Sequence, residues 1–373
     1  MFSTYRPALA LTFFATLCCM AAAGTLYGFS LYGQQLKARL GLDQSQIAFV
    51  GAAGNYGMYL GGVFWGAMTD RYHMNPRYLF LCAAVLLMAG YSLVSFTYSA
   101  TIPIIHYLFL AFYLFVAGFG SACLYHASMG TNIRNWPPHL HGFAVGIPVS
   151  LLGLSAFIFG QFASLFRTVS ASGNGSLDVA AFLIFVGIAT SSVSVFASFT
   201  LRNVQHLLPV PPALPEESVP ATESDPLLIE SAPAQPESDP DVYCLYEPDA
   251  YSLAAILVAL GGSGLLLINN VSAVIAALSP ADAPADDPDV ERAQSWHVQA
   301  LSVLSFVGRV AFGMASDWAA KHHGVSRSIW LVGASLIMLA GQVMAARVRT
   351  LDDLPSITIA VGISYGAFNT IIP

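Results

Sequence analysis

The sequence predicts an all-α membrane protein of two helical bundles, six spanning helices in the first and about four in an incomplete second. Three observations predict it. Of 373 residues, 56% are hydrophobic and only 9% charged. A soluble domain carries roughly 25% charged residues, so most of this surface must face lipid. About ten apolar runs of spanning length recur along the chain, and a helix needs about 20 such residues to cross the hydrocarbon core. A long polar break separates the first six runs from the last four.

The runs lie at about 8–32, 47–68, 78–97, 104–125, 143–165 and 179–201, then at 252–278, 298–316, 328–346 and 356–373. In lipid the backbone is satisfied only within helices or closed barrels, and these runs are too long and continuous for barrel strands. The first follows Arg6 and carries small residues at 21–24, but it exceeds the length of a secretory signal core and reads as a retained span. Residues 202–250 hold ten prolines, ten acidic residues and one basic residue, Arg202. Such a segment buries too little apolar area to fold. The expected organisation is a bundle over 1–201, a disordered acidic linker over 202–251 and an incomplete bundle over 252–373. A second acidic stretch, 280–291, has three prolines and five acidic residues and reads as a mobile loop. The chain ends at Pro373 in or just after an apolar run, so a six-plus-six plan would lack its last two helices.

Several function classes are excluded. Only 14 basic residues are scattered along the chain, which leaves no patch for nucleic acid. No phosphate-binding Gly-x-x-x-x-Gly-Lys loop, nucleophile elbow or His-Glu-x-x-His motif is present, so no enzyme and no cofactor is expected. Cys18, Cys19, Cys82 and Cys123 are apolar fillers, Cys244 lies in the linker, and their spacing fits neither a disulfide framework nor zinc. Arg71, Arg77 and Arg134 favour a cytosolic N-terminus, while Lys37 and Arg39 oppose it. That orientation puts the sequon at Asn174 on the non-cytosolic side. In the linker, Glu223 with Leu227 and Leu228 matches an acidic dileucine signal, a partner site for a sorting adaptor. The expected location is therefore the vacuolar or lysosomal membrane, or the plasma membrane.

The most specific feature ends the second span: Gly66-Ala67-Met68-Thr69-Asp70-Arg71. It recurs at the end of the eighth: Gly313-Met314-Ala315-Ser316-Asp317. In both, glycine permits close helix approach and the carboxylate can meet a helix N-terminus or a basic side chain. Gly66, Asp70, Arg71, Gly313 and Asp317 are thus candidate latch residues. The first stretch resembles the loop signature of the major facilitator superfamily, although His73, Met74 and Asn75 stand where that pattern continues with glycine and basic residues. Asn135-Trp136-Pro137, His141-Gly142, Gly153-Leu154-Ser155-Ala156, the first-span run Gly24 to Tyr32, Ile268-Asn269-Asn270 and Gly308-Arg309 resemble the nodulin-like branch and its fungal monocarboxylate-transporter homologues. The resemblance implies a two-bundle secondary carrier of a small organic solute, a carboxylate among the candidates, with protons as a candidate coupling ion. Monocarboxylate transporters proper carry an acid one turn before the corresponding arginine, where this chain has Ser305.

Polar groups within the spans are the candidate cavity residues: Tyr27, Tyr32, Asn55, Tyr56, Asn269, Asn270 and Arg309. Midplane polar groups between two bundles are where carriers bind solute, and lone ones also serve as interhelical hydrogen bonds. Arg309 lies about 12 Å along the helix from Asp317 at 1.5 Å per residue. It reads either as an anion-binding group or as part of the latch. The glycine row Gly51, Gly54, Gly57, Gly61, Gly62 and Gly66 predicts tight helix contact, Pro148 a kink, and His126, His139 and His141 a solvated loop. A non-transporting membrane sensor and an inactive fragment are the rival readings.

Overall fold

The computed structural model describes residues 2–72, 74–102, 106–137, 140–169, 175–204, 248–280 and 287–371. Helix α1 (Phe2–Ala23) runs into a 3-10 segment, Gly24–Leu31, and a short α2 (Gly33–Leu40). Then come α3 (Gln44–Asp70), α4 (Pro76–Tyr98), α5 (Tyr107–Arg134), α6 (His141–Ala163) and α7 (Val179–Thr200). After the linker follow α8 (Pro248–Leu278), α9 (Pro288–His323), α10 (Arg327–Ala345) and α11 (Leu354–Ile371). The six long helices α1 and α3–α7 pack together, as do the four helices α8–α11. This is the expected two-bundle, all-α membrane fold. Eight of the described helices are long and apolar enough to cross a membrane. The glycines and polar residues of α3 lower its hydropathy below that of the eight.

Three local results differ from the sequence reading. The first span is not one α-helix: it tightens into the 3-10 segment, all of whose residues are buried. The loop between α6 and α7 forms a hairpin, β1 (Arg167–Val169) against β2 (Gly175–Leu177), antiparallel with Arg167 opposite Leu177. The 280–291 stretch is partly helical, because α9 begins at Pro288 behind an Asp287 cap whose carboxylate accepts the Asp289 N–H at 2.8 Å. Proline suits a first helical position because its missing N–H would have no partner there. Asn174, Glu223, Leu227 and Leu228 lie outside the described residues, as does most of the linker.

Helix boundaries follow local chemistry. Gly41 ends α2 in the left-handed region at φ 64°, where a Cβ would be strained. Asp43 then opens α3 with a reciprocal capping box to Gln46, at 2.7 and 3.0 Å. Gly324 ends α9 at φ 63°, after Lys321, His322 and His323 oppose the helix dipole in the last turn.

Inside each bundle one helix pair meets backbone to backbone. A Cβ at Gly57 of α3 would fall on the Phe115 carbonyl oxygen of α5, and one at Gly118 of α5 on the Gly54 carbonyl. The second bundle repeats this: a Cβ at Gly308 of α9 would fall on the Ile363 carbonyl of α11, and one at Gly366 on that of Ser305. Without a hydrophobic driving force in lipid, such close approach gains van der Waals contact along the whole pair. The second and fourth spans therefore pack as the eighth and tenth do, which is the structural form of the sequence repeat.

Candidate functional site between the bundles

The two bundles meet mainly through α6 and α9, with the 3-10 segment and α8 beside them. Among the described residues, hydrogen bonds from α6 to α9 run from Val149 to Gln161. Arg309 Nη1 donates to the Val149 carbonyl. Ser302 Oγ donates to the Gly153 carbonyl at 2.6 Å and accepts the Phe157 N–H at 3.0 Å. Gln161 Nε2 donates to Gln299 Oε1 at 2.7 Å. Beside them, Ser30 Oγ donates to the Ile268 carbonyl of α8 at 2.6 Å, and Gln35 Nε2 of α2 donates to Glu291 Oε1 of α9 at 2.7 Å. The first turns of α6 differ: a Cβ at Gly142 or Gly146 would meet open space. The bundles are thus tied at the end where α6 finishes and α9 starts. They are splayed at the end that carries Gly66, Asp70, Gly313 and Asp317.

Arg309 is the centre of this interface. It is 1% exposed and the largest fully buried side chain. Glycine at 153 makes room for it: a Cβ there would stand 3.1 Å from the guanidinium carbon and 3.2 Å from Ser305 Oγ. Arg309 Nε and Ser305 Oγ are buried without a hydrogen-bond partner, and among the described residues no carboxylate comes within ion-pair distance of Arg309. Tyr365 of α11 donates to the Tyr27 hydroxyl at 3.4 Å, their rings edge to face at 6.2 Å. Tyr27, Gly153, Ile268, Ser302, Ser305 and Tyr365 enclose a cavity of about 10 Å³, room for about one water. A larger solute does not fit in this form.

Of the sequence-predicted cavity residues, Tyr27 and Arg309 come together here. Tyr32 lies inside the first bundle, edge to face with Phe29 and near Phe182. Asn55 is buried and reaches its own helix at the Gly51 carbonyl, 3.5 Å away. Tyr56 is mostly exposed, Asn270 bonds the Leu266 carbonyl at 2.9 Å, and Asn269 is half-buried on α8 next to Ile268 of the cavity wall. Of the candidate latch residues, Asp70 pairs with Arg134 of its own bundle at 3.8 Å, both substantially exposed. Arg71 caps α3 and is exposed. Gly313 packs on Thr370, where a Cβ would stand 2.7 Å from its methyl carbon, and Asp317 is exposed.

Sequence reasoning missed several groups. Glu291, placed in a loop, is 4% exposed in α9. Together with Gln35, Gln161, Gln299, Trp296 and Arg167 it lines a cavity of about 320 Å³ at the tied end. The signal was available, since Asp287-Pro288 followed by acids marks a helix start. Buried His297 bonds Thr358 through Nδ1 at 2.8 Å. His126 is in α5 rather than a loop, and its ring lies against Gly62 and Gly66.

A family model described as Nodulin-like matches residues 10–220. A fungal protein named "Probable transporter mch1", from Emericella nidulans, is 29% identical over 49% of this chain and 31% of its own length. One of the same name from Aspergillus fumigatus is 23% identical over 94% of this chain and 70% of its own. Among solved structures, a bacterial homologue of the human lysosomal transporter Spinster, inward-facing and occupied, aligns with a TM-score of 0.57 and 17% identity. It covers 98% of this chain and 74% of that one. A D-xylose-proton symporter aligns at 0.56 and 14%, over 95% and 81%. The fold is that of these two-bundle carriers. The relatives are named as probable transporters and the structural neighbours as transporters.

Proposed function

The chain belongs to the Nodulin-like family, whose model covers residues 10–220, and from that premise we propose a secondary carrier that moves a small organic anion by alternating access. The observation that carries the reading is Arg309, a guanidinium buried between the bundles with its Nε unpartnered and no carboxylate beside it. A buried cation is costly unless paired. A solute carboxylate would accept two parallel hydrogen bonds from the guanidinium and remove that cost. Tyr27, Tyr365 and Ser305 supply hydroxyls for the rest of the solute. The hydrogen bonds from Val149 to Gln161, with the Gln35–Glu291 contact, close one end. The open space at Gly142 and Gly146 leaves the other end free. With a cytosolic N-terminus this is an inward-facing form.

Protons are the coupling ion this reading favours, in line with the proton symporter among the structural neighbours. The vacuolar or lysosomal membrane, or the plasma membrane, and a sorting adaptor at the linker complete the proposal. The test is uptake of radiolabelled monocarboxylates by proteoliposomes holding the full chain, with and without an imposed pH gradient. Saturable uptake that disappears in Arg309→Gln supports the carrier. Binding of a carboxylate without flux would replace it by the sensor reading.

A further inference from the structure

We propose that Arg77, Arg134 and Arg202 form a binding site for the phosphomonoester headgroup of an anionic membrane lipid, separate from the interbundle site. At the end of the first bundle where α4 begins and α5 and α7 finish, these three side chains line a cavity of about 350 Å³, with Asn75, Thr131 and Asn203. The positive charge is scarcely compensated. Asp70 meets Arg134 at 3.8 Å, in a pair with both side chains substantially exposed, and such pairs are weak. Among the described residues, Arg77 and Arg202 have no carboxylate within ion-pair distance.

Arg134 and Arg202 are held in place by main-chain contacts. Asn135 is fully buried and clamps the segment after α7, donating to the Arg202 carbonyl at 2.8 Å and accepting the Val204 N–H at 2.8 Å. Arg202 Nε donates to the Phe199 carbonyl at 3.1 Å, which leaves its two terminal amino groups for a ligand. Arg134 Nη2 donates to the Thr69 carbonyl at 3.2 Å. The α4 N-terminus adds little directly, because Pro76 has no N–H and Asn75 Oδ1 already accepts the Arg77 N–H at 3.1 Å. Recognition therefore falls to the guanidinium groups. Three of them match the two charges of a phosphomonoester better than the single charge of a phosphodiester.

The surroundings select a lipid over a soluble anion. Tyr72 beside Arg71, Tyr78 beside Arg77 and Phe199 three residues before Arg202 are 63%, 66% and 66% exposed. Exposed aromatic rings at span ends mark the level of the lipid headgroups, and basic pockets between spans at that level bind phosphorylated headgroups. Arginines that only set topology need not converge on one cavity or be clamped there.

The experiment uses the full chain in phosphatidylcholine nanodiscs doped with either a phosphatidylinositol phosphate or phosphatidylglycerol, with retained lipid counted by native mass spectrometry. Retention of the phosphomonoester lipid is expected to exceed that of phosphatidylglycerol by about tenfold. In Arg77→Gln/Arg202→Gln the two should become equal with the thermal midpoint unchanged, since both side chains are exposed. Arg77→Lys/Arg202→Lys, which keeps the charge but loses the fork, should fall between. Equal retention of the two lipids by the unaltered chain, or an unaltered preference in the glutamine variant, would overturn the proposal. Displacement of the lipid by millimolar inorganic phosphate would assign the site to a soluble anion and overturn the lipid assignment.

Discussion

Arg309 of α9 reaches across the bundle interface and donates through Nη1 to the carbonyl of Val149 on α6. The contact joins the two parts expected to move against each other in transport, and it holds a buried charge. Arg309→Gln is therefore expected to weaken carboxylate binding. Loss of a hydrogen-bonded charge costs ~1.5–3 kcal/mol, a factor of about 10 to 150 in affinity. Arg309→Lys should recover part of this, because a lysine keeps the charge without the fork. Equilibrium binding of labelled carboxylates to the purified variants checks it, and an unchanged affinity would remove Arg309 from the solute site.

The glycine contacts separate structure from motion. Gly118→Ala and Gly366→Ala force a Cβ onto the carbonyls of Gly54 and Ser305. Each should lower stability by ~1–3 kcal/mol, as overpacking does, and be read as a drop in thermal midpoint. Gly142→Ala and Gly146→Ala meet open space, so their thermal midpoints should stay within a degree or two of the parent. If α6 closes at this end during transport, those two variants will still slow uptake. Normal uptake in both would mean that this face of α6 stays apart from the second bundle throughout the cycle.

These pairings also show what a sequence can and cannot carry. The Gly66–Asp70 and Gly313–Asp317 repeat was legible because each motif is local and sits at the same exit of a span. Arg309 was legible because a charge interrupts an apolar run. The partners of both were not. Val149 and Gly153 meet Arg309 only once two bundles dock, and nothing in a local window reports docking. The glycine row on α3 was visible, but its counterpart Gly118, and the reciprocal pair Gly308 and Gly366, needed the α5 and α11 contacts. Glu291 was hidden by composition: five acids in twelve residues read as a loop, although the Asp287-Pro288 cap makes a helix of its last turn.

Gln35 and Glu291 are expected to hold the tied end closed. Glu291→Ala removes the acceptor of the 2.7 Å bond and leaves the Gln35 carboxamide to find water, so the end should open more often. A single cysteine at Ser295, which lines the same cavity, should then react faster with a membrane-impermeant maleimide in a background whose native cysteines are replaced. Glu291→Gln keeps an acceptor and should label like the parent. Equal labelling in all three would show that the α6–α9 hydrogen bonds close this end without the Gln35–Glu291 contact.

The Asp70–Arg134 pair poses the last question, whether it stabilises the resting fold or serves the transport cycle. At 3.8 Å, with side chains 76% and 43% exposed, it belongs with surface pairs worth ~0–1 kcal/mol. Asp70→Asn should therefore move the thermal midpoint by no more than about 2 °C in a chain of this size. A static role ends there, and uptake would be unchanged. A latch works differently: its carboxylate must find a second partner when the splayed end closes, and the amide cannot offer the same charge to it. Reduced uptake at unchanged stability in Asp70→Asn, matched by the same result in Asp317→Asn at the repeat position of α9, would identify both carboxylates as parts of the moving gate. A parallel loss of stability and uptake would reduce them to helix-end contacts.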